Sequence, residues 1–220
     1  MEAWILQTAL LIGFGILLGG LCGFAAVCWA HRMLQNRQKT ERVTRTPLLI
    51  AAAAMAGGYI GFRTAGWIPL LFALLLMTVC LTVGITDWLC RRIPNPTVLA
   101  LFALKLLLGA GALLKLPGLP AFEILSSLGG MVFCFALFFA PGLFGRQVGA
   151  GDIKLAAAMG FLLGFRGSLI GVVIMGLLVI VYSVAQRKMP LPAFLKTDIP
   201  MGPFLAAGTL ISYLLLCTTV

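Results

Sequence analysis

The sequence predicts an all-α fold: a single domain over residues 1–220 built as a polytopic bundle of about eight membrane helices with its N-terminus outside. Three observations lead there. Hydrophobic residues make up 61% of the chain and charged ones only 10%, against about 25% charged in soluble globular domains. The mean hydropathy is +1.10. Apolar windows close to the roughly 20 residues needed to cross a hydrocarbon core recur along the chain, and nothing between them is long enough to fold alone.

The first window, 3–30, opens after Glu2 instead of a basic segment and shows no small-residue cleavage pattern, so it reads as a retained helix. Its glycines Gly13, Gly15, Gly19, Gly20 and Gly23 suit close helix packing. Further helices are expected near 48–62, 68–86, 97–114, 122–143, 154–165, 168–185 and 201–219. The sixth is short and tightly joined to the seventh around Arg166 and Gly167, which leaves a count of seven with one re-entrant piece as the alternative. Pro94, Pro96 and Pro200 fall between windows and Pro203 at the start of the last one, where a residue without a backbone donor breaks or starts a helix.

Orientation follows from the basic residues. With the N-terminus outside, the loops at 31–47, 87–96, 144–154 and 186–200 are cytoplasmic and hold twelve of the sixteen Lys and Arg, while the external connections hold Arg63, Lys115 and Arg166. Retention of cations on the cytoplasmic side therefore accounts for the net charge of +10 better than nucleic-acid binding does. Lys105 alone falls inside a helix, where a long amine snorkels, pairs or marks a polar inner face. The six cysteines form no C-x-x-C pair and mostly sit in apolar runs, so neither a disulfide framework nor a metal site is expected.

Six acidic residues remain to be placed. Glu2, Glu41 and Glu123 fall in terminal or connecting segments, where a solvated carboxylate needs no special reason. Asp87 ends the third helix, Asp152 stands in Gly149-Ala150-Gly151-Asp152-Ile153-Lys154 before the sixth, and Asp198 precedes the last. All three share one face of the membrane in the assigned topology. Two carboxylates held close share a proton, which supplies an acid and a base for hydrolysing a peptide bond without a metal or cofactor. Glycines flanking Asp152 would let an extended substrate approach the backbone. The plainer reading is that these aspartates face headgroups or cap helices, as Asp152 would for the sixth. Spacing alone leaves both open.

Three segments resemble the type IV prepilin peptidases, a family of GxGD-type aspartic proteases. Asp87 to Asn95 is similar to its D-x5-I-P-N element, Gly149 to Lys154 to its GxGDxK element, and Ile199 to Ala206 to its late I-P-x-G-P-F-L-A element. The resemblance runs over about residues 70–219. It implies that Asp87 and Asp152 are the catalytic pair, with Gly149, Gly151, Lys154, Pro94, Asn95, Gly202 and Pro203 shaping the site or meeting substrate. It also implies a substrate, a prepilin or pseudopilin precursor, with a short basic leader cut before an apolar helix at the cytoplasmic face of the bacterial inner membrane. No cofactor is implied for the cut. In larger members a second activity methylates the new N-terminus from S-adenosylmethionine.

Departures from the family pattern lie at the N-terminus. Of its signature there, only glycines, Val27 and Arg32 survive in the stretch Gly19 to Met33, and the loop 31–47 lacks the cysteine pairs that form a zinc site in longer members. Lys154 equally suits a lipid phosphate, and Arg91 and Arg92 read first as cytoplasmic anchors. One histidine, His31, excludes an H-E-x-x-H zinc protease, and no serine motif accompanies it. Presenilin-like proteases share the Gly-x-Gly-Asp carboxylate, but they carry Tyr-Asp and Pro-Ala-Leu elements where this chain has Thr86-Asp87 and Gly202-Pro203-Phe204-Leu205. Outside enzymes, the alternative is a transporter or channel using Asp87 and Asp152 as proton or ion sites, whose sign would be inverted repeats that this chain does not display.

Overall fold

A computed structural model of the protein describes residues 2–35, 46–64, 66–113, 120–143, 149–185 and 200–217. These form seven helical elements: α1 (Glu2–Gln35), α2 (Thr46–Arg63), α3 (Trp67–Cys90), α4 (Asn95–Leu113), α5 (Pro120–Leu143), α6 (Ala150–Ala185) and α7 (Gly202–Cys217). By length and composition four of them are apolar enough to cross a membrane: Leu6–Met33, Trp67–Cys90, Phe122–Leu143 and Ala150–Ala185. Asn95–Leu107 and Gly202–Leu216 are shorter apolar helices. Asp198, Glu41, Lys115 and much of the loops 31–47, 144–154 and 186–200 lie outside the described residues.

Glycine makes the first helix pair. α1 and α2 run antiparallel, with Gly15 and Gly19 facing Gly57 and Gly61, and a Cβ on Gly19 would stand only 2.7 Å from the Ala53 carbonyl oxygen. Not every glycine of the run serves this contact, since Gly13 has open space around it. Two apolar clusters knit the bundle. One joins Leu76 and Val83 of α3 with Leu101, Leu155, Met159 and Leu205; the other joins Leu11, Ile60, Leu70, Met77 and Leu214. The outer surface is apolar as well, with Leu17, Met55, Leu71, Leu106, Leu125 and Val181 exposed, as expected of faces that meet lipid.

The threonines of α3 carry their own partners into the bundle. Thr78, Thr82 and Thr86 are spaced one turn apart on α3 and donate their hydroxyls to the carbonyls of Leu74, Thr78 and Thr82 at 2.8–2.9 Å. A threonine stripe thus enters the apolar interior with its hydrogen bonds satisfied.

The sequence leads to separate helices at 154–165 and 168–185, and α6 is two helical arms that meet at a kink. The break expected at Arg166 and Gly167 falls instead at Gly164, whose φ of 72° and ψ of 178° belong to a region that only glycine occupies readily. Arg166 misleads because a charge reads as a loop, yet it sits exposed within a helical turn. The chain reverses sharply at this bend. Ser168 Oγ comes within 3.4 Å of the Gly160 carbonyl, a distance no straight helix allows between residues two turns apart. Further along, Tyr182 packs its ring on Trp88 at the end of α3 and on Phe204 at the start of α7. Both ends of α6 therefore lie at the same face of the bundle. The first arm is roughly 20 Å long at 1.5 Å per residue, short of a hydrocarbon core of about 30 Å.

Three serines bond the backbone at the bend and just beyond it. Phe165 N–H donates to Ser126 Oγ of α5 at 3.2 Å, Ser168 donates to the Gly164 carbonyl, and Ser212 of α7 donates to the Gly167 carbonyl at 2.7 Å. Gly164→Ala should destabilise the protein by about 1–3 kcal/mol, since alanine must enter a backbone region that excludes it. Its Cβ would also lie 2.9 Å from Ser126 Oγ. Thermal unfolding in detergent checks this, with Ser126→Ala expected to lower stability by only about 1 kcal/mol.

Candidate active site

Asp87 occupies the last turn of α3 and is only 5% exposed. The helix stops one turn later because Arg91 adopts φ 51° and ψ 40°, a left-handed cap that directs its N–H to the Asp87 carbonyl at 2.8 Å. Glycine usually fills such a cap, so an arginine here is held by its surroundings. The chain then turns through Arg92, Ile93 and Pro94 into α4. There the Pro94 carbonyl accepts both the Thr97 N–H, at 3.1 Å, and the Thr97 hydroxyl, at 2.7 Å. The D-x5-I-P-N segment is accordingly a fixed corner between two helices.

Asp152 lies in the first turn of α6, and its N–H donates to the Gly149 carbonyl at 3.0 Å. A carboxylate in this position favours the helix dipole, but the helix begins at Ala150, so Asp152 lies inside its first turn and not at the cap expected from sequence. The glycines before it have steric reasons. A Cβ on Gly151 would approach the Ile93 Cβ to 3.3 Å, and one on Gly149 would come within 2.9 Å of Asp152 Oδ2. Gly151 thereby seats the start of α6 against the α3–α4 corner, while Gly149 leaves space for the carboxyl group.

The third segment closes on Asp87 directly. Gly202, the first residue of α7, donates its N–H to Asp87 Oδ2 at 2.9 Å. No side chain fits at that position, because a Cβ would lie 2.8 Å from both the Asp87 Cβ and Oδ2. Pro203 follows against Gly84, one turn before Asp87 on α3. Three stretches far apart in the chain thus meet at one point through contacts that depend on missing side chains.

Between them is a cavity of about 800 Å³ that both Asp87 and Asp152 line. The two carboxyl groups are within electrostatic reach of each other, and the Arg91 charge is felt at Asp87. Of the residues expected from sequence, Gly149, Gly151, Pro94 and Asn95 also line the cavity. Gly202 and Pro203 act from behind Asp87 through the contacts above. Lys154 is exposed and is not among the lining residues. Arg91 and Arg92, read first as membrane anchors, belong to the lining. Met33 and Cys90 do too; Cys90 is one of the unspecified positions of the D-x5-I-P-N element and Met33 ends the weakly similar N-terminal stretch, so neither stands out in the sequence as a site residue. Among the described residues no group of three or more His, Cys, Asp or Glu side chains stands ready to hold a metal ion.

Fold and site define an all-helical membrane protein that gathers two carboxylates from different helices into one cavity at the helix ends. The chain belongs to the type IV leader peptidase family, whose model matches residues 74–184, a segment that takes in both aspartates. Comparison with curated proteins and with solved structures finds no match.

Gly202→Ala should push the Asp87 carboxyl off its present position. Misplacement of a reacting group by about 1 Å costs on the order of 100-fold in rate, so peptidase activity should fall by about that factor while the protein still folds. Rate measurements paired with a melting curve of the variant check the expectation.

Proposed function

We propose that this protein is an aspartic endopeptidase that removes the short basic leader from type IV prepilin-like precursors, with Asp87 and Asp152 as its catalytic pair. The observation that carries the proposal is the shared cavity: two carboxyl groups, brought from separate helices to one place, in a chain of the leader peptidase family. Lining by the I-P-N corner and by the Gly-x-Gly turn supports it, since both segments surround the aspartates they accompany in sequence.

In the proposed reaction one carboxylate takes a proton from water as the water oxygen attacks the scissile carbonyl carbon. The other, protonated, donates a hydrogen bond to the carbonyl oxygen. Collapse of the tetrahedral intermediate breaks the C–N bond, and a proton passes to the departing amine. Gly202 N–H engages Oδ2 of Asp87, so one oxygen of this group is held while the other is left for chemistry. Backbone at Gly149 and Gly151 has no side chains to block an extended substrate.

The proposed topology has eight membrane crossings, with α6 counted as two arms, the N-terminus outside and the cavity at the cytoplasmic face of the bacterial inner membrane. Arg32, Arg91 and Arg92 lie at this end of the helices, in keeping with cation retention. Lipid contact by the exposed apolar surface and by Lys154 belongs to the same reading. Methylation of the new N-terminus from S-adenosylmethionine would be a separate reaction and takes no part in the cut. The ion-path alternative gains nothing from the position of the aspartates at helix ends.

Co-expression with a leader-bearing precursor tests the proposal. Asp87→Asn and Asp152→Asn should each abolish leader removal, by 1,000-fold or more on the order of magnitude expected when half of an acid–base pair is lost. Retained cutting by either folded variant would remove the pair from the mechanism, and altered ion flux without any effect on cutting would favour the transport reading. A second check is the pH profile, which should be bell-shaped because one carboxyl must be protonated and one ionised.

A further inference from the structure

Part of the cavity lining comes from outside the segment that the family model matches. Met33, near the end of α1, lines the cavity together with both aspartates, whereas the family match begins only at residue 74. Its position is fixed from one turn before. Trp29 is four residues earlier, on the same face of the helix, and packs against the apolar cluster that includes Val83, Leu155 and Leu205. α1 is further braced along its length by α2 and α3. Met33 itself is half-buried.

Ile93, Pro94 and Pro96 are further apolar members of the lining, while Arg91 and Arg92 join the two aspartates as its charged part. Two turns of helix with their side chains occupy on the order of 1,000 Å³, taken from a diameter of about 11 Å and a pitch of 5.4 Å. A cavity of about 800 Å³ therefore accepts a short unwound stretch of chain. A peptide bond that reaches the aspartates brings its flanking side chains into the same cavity as Met33.

We propose that Met33 is a specificity-determining residue, touching an apolar side chain of the substrate next to the bond that is cut. The proposal rests on the peptidase reading above. An unbranched thioether suits such a lining because it adapts to side chains of different shape. The terminal helix pair, remote in sequence from both aspartates, thus takes part in choosing the substrate.

The test uses the full-length protein in membranes and a panel of leader-bearing precursors in which each residue flanking the cut is in turn Ala, Leu, Phe or Trp. Met33→Trp should lower kcat/KM for the bulky members at least tenfold relative to the alanine member, and Met33→Ala should shift the preference the other way. A uniform change across the panel, or none, would overturn the proposal. Should a variant fail to fold, p-benzoylphenylalanine placed at position 33 in the Asp152→Asn background gives a separate readout: a photo-crosslink to the precursor supports the contact, and its absence in a folded protein overturns it. If the parent protein cuts no member of the panel, the peptidase reading itself falls; if the parent cuts and preference ignores position 33, only the present proposal falls.

Discussion

A buried carboxylate at the edge of an apolar bundle needs a partner, and for Asp87 that partner is the backbone N–H of Gly202. The bond joins the end of α3 to the start of α7, and it forms only because position 202 carries no side chain. Much of the site follows from it. With α7 anchored there, Phe204 meets Tyr182 and ties in the far end of α6, while Leu205 and Ala206 enter the main apolar cluster. The near end of α6 is set by another absence of side chain, at Gly151 against Ile93. Chemistry and architecture are consequently held by the same few contacts.

The sequence made the helices and the two aspartates legible because both depend on local patterns. Apolar windows mark helices by length alone, and Asp87 and Asp152 stand out as carboxylates next to apolar runs. Their meeting in space was legible only through the three motif-like segments, since no periodicity links residues 87, 152 and 202. Gly202 was included among the expected site residues, but its work as a hydrogen-bond donor depends on tertiary approach and has no local signal. Met33 was missed for a related reason: it lies on an ordinary apolar helix, and only the packing of Trp29 turns it toward the cavity. Lys154 shows the converse, a residue prominent in a motif that the fold leaves exposed.

The bend in α6 shows how a membrane fold handles backbone that leaves the helix. Water is scarce at such depth, so neighbouring elements must supply the missing donors and acceptors. Ser126 of α5 accepts the Phe165 N–H, Ser168 reaches the Gly160 carbonyl at the end of the first arm, and Ser212 of α7 bonds the Gly167 carbonyl just past the bend. Close approach of Gly130 to Gly160, and of Gly171 to Gly208, brings those helices near enough for short serine side chains to reach. Small residues and hydroxyls therefore act together here, the first permitting contact and the second satisfying it.

The shortness of the first α6 arm also bears on biogenesis. A segment of this length gains little by partitioning into lipid alone, and its N-terminal turn carries Asp152, which opposes entry. Its continuation beyond Gly164 is long and apolar, so the two arms are best inserted as one hairpin, the second drawing in the first.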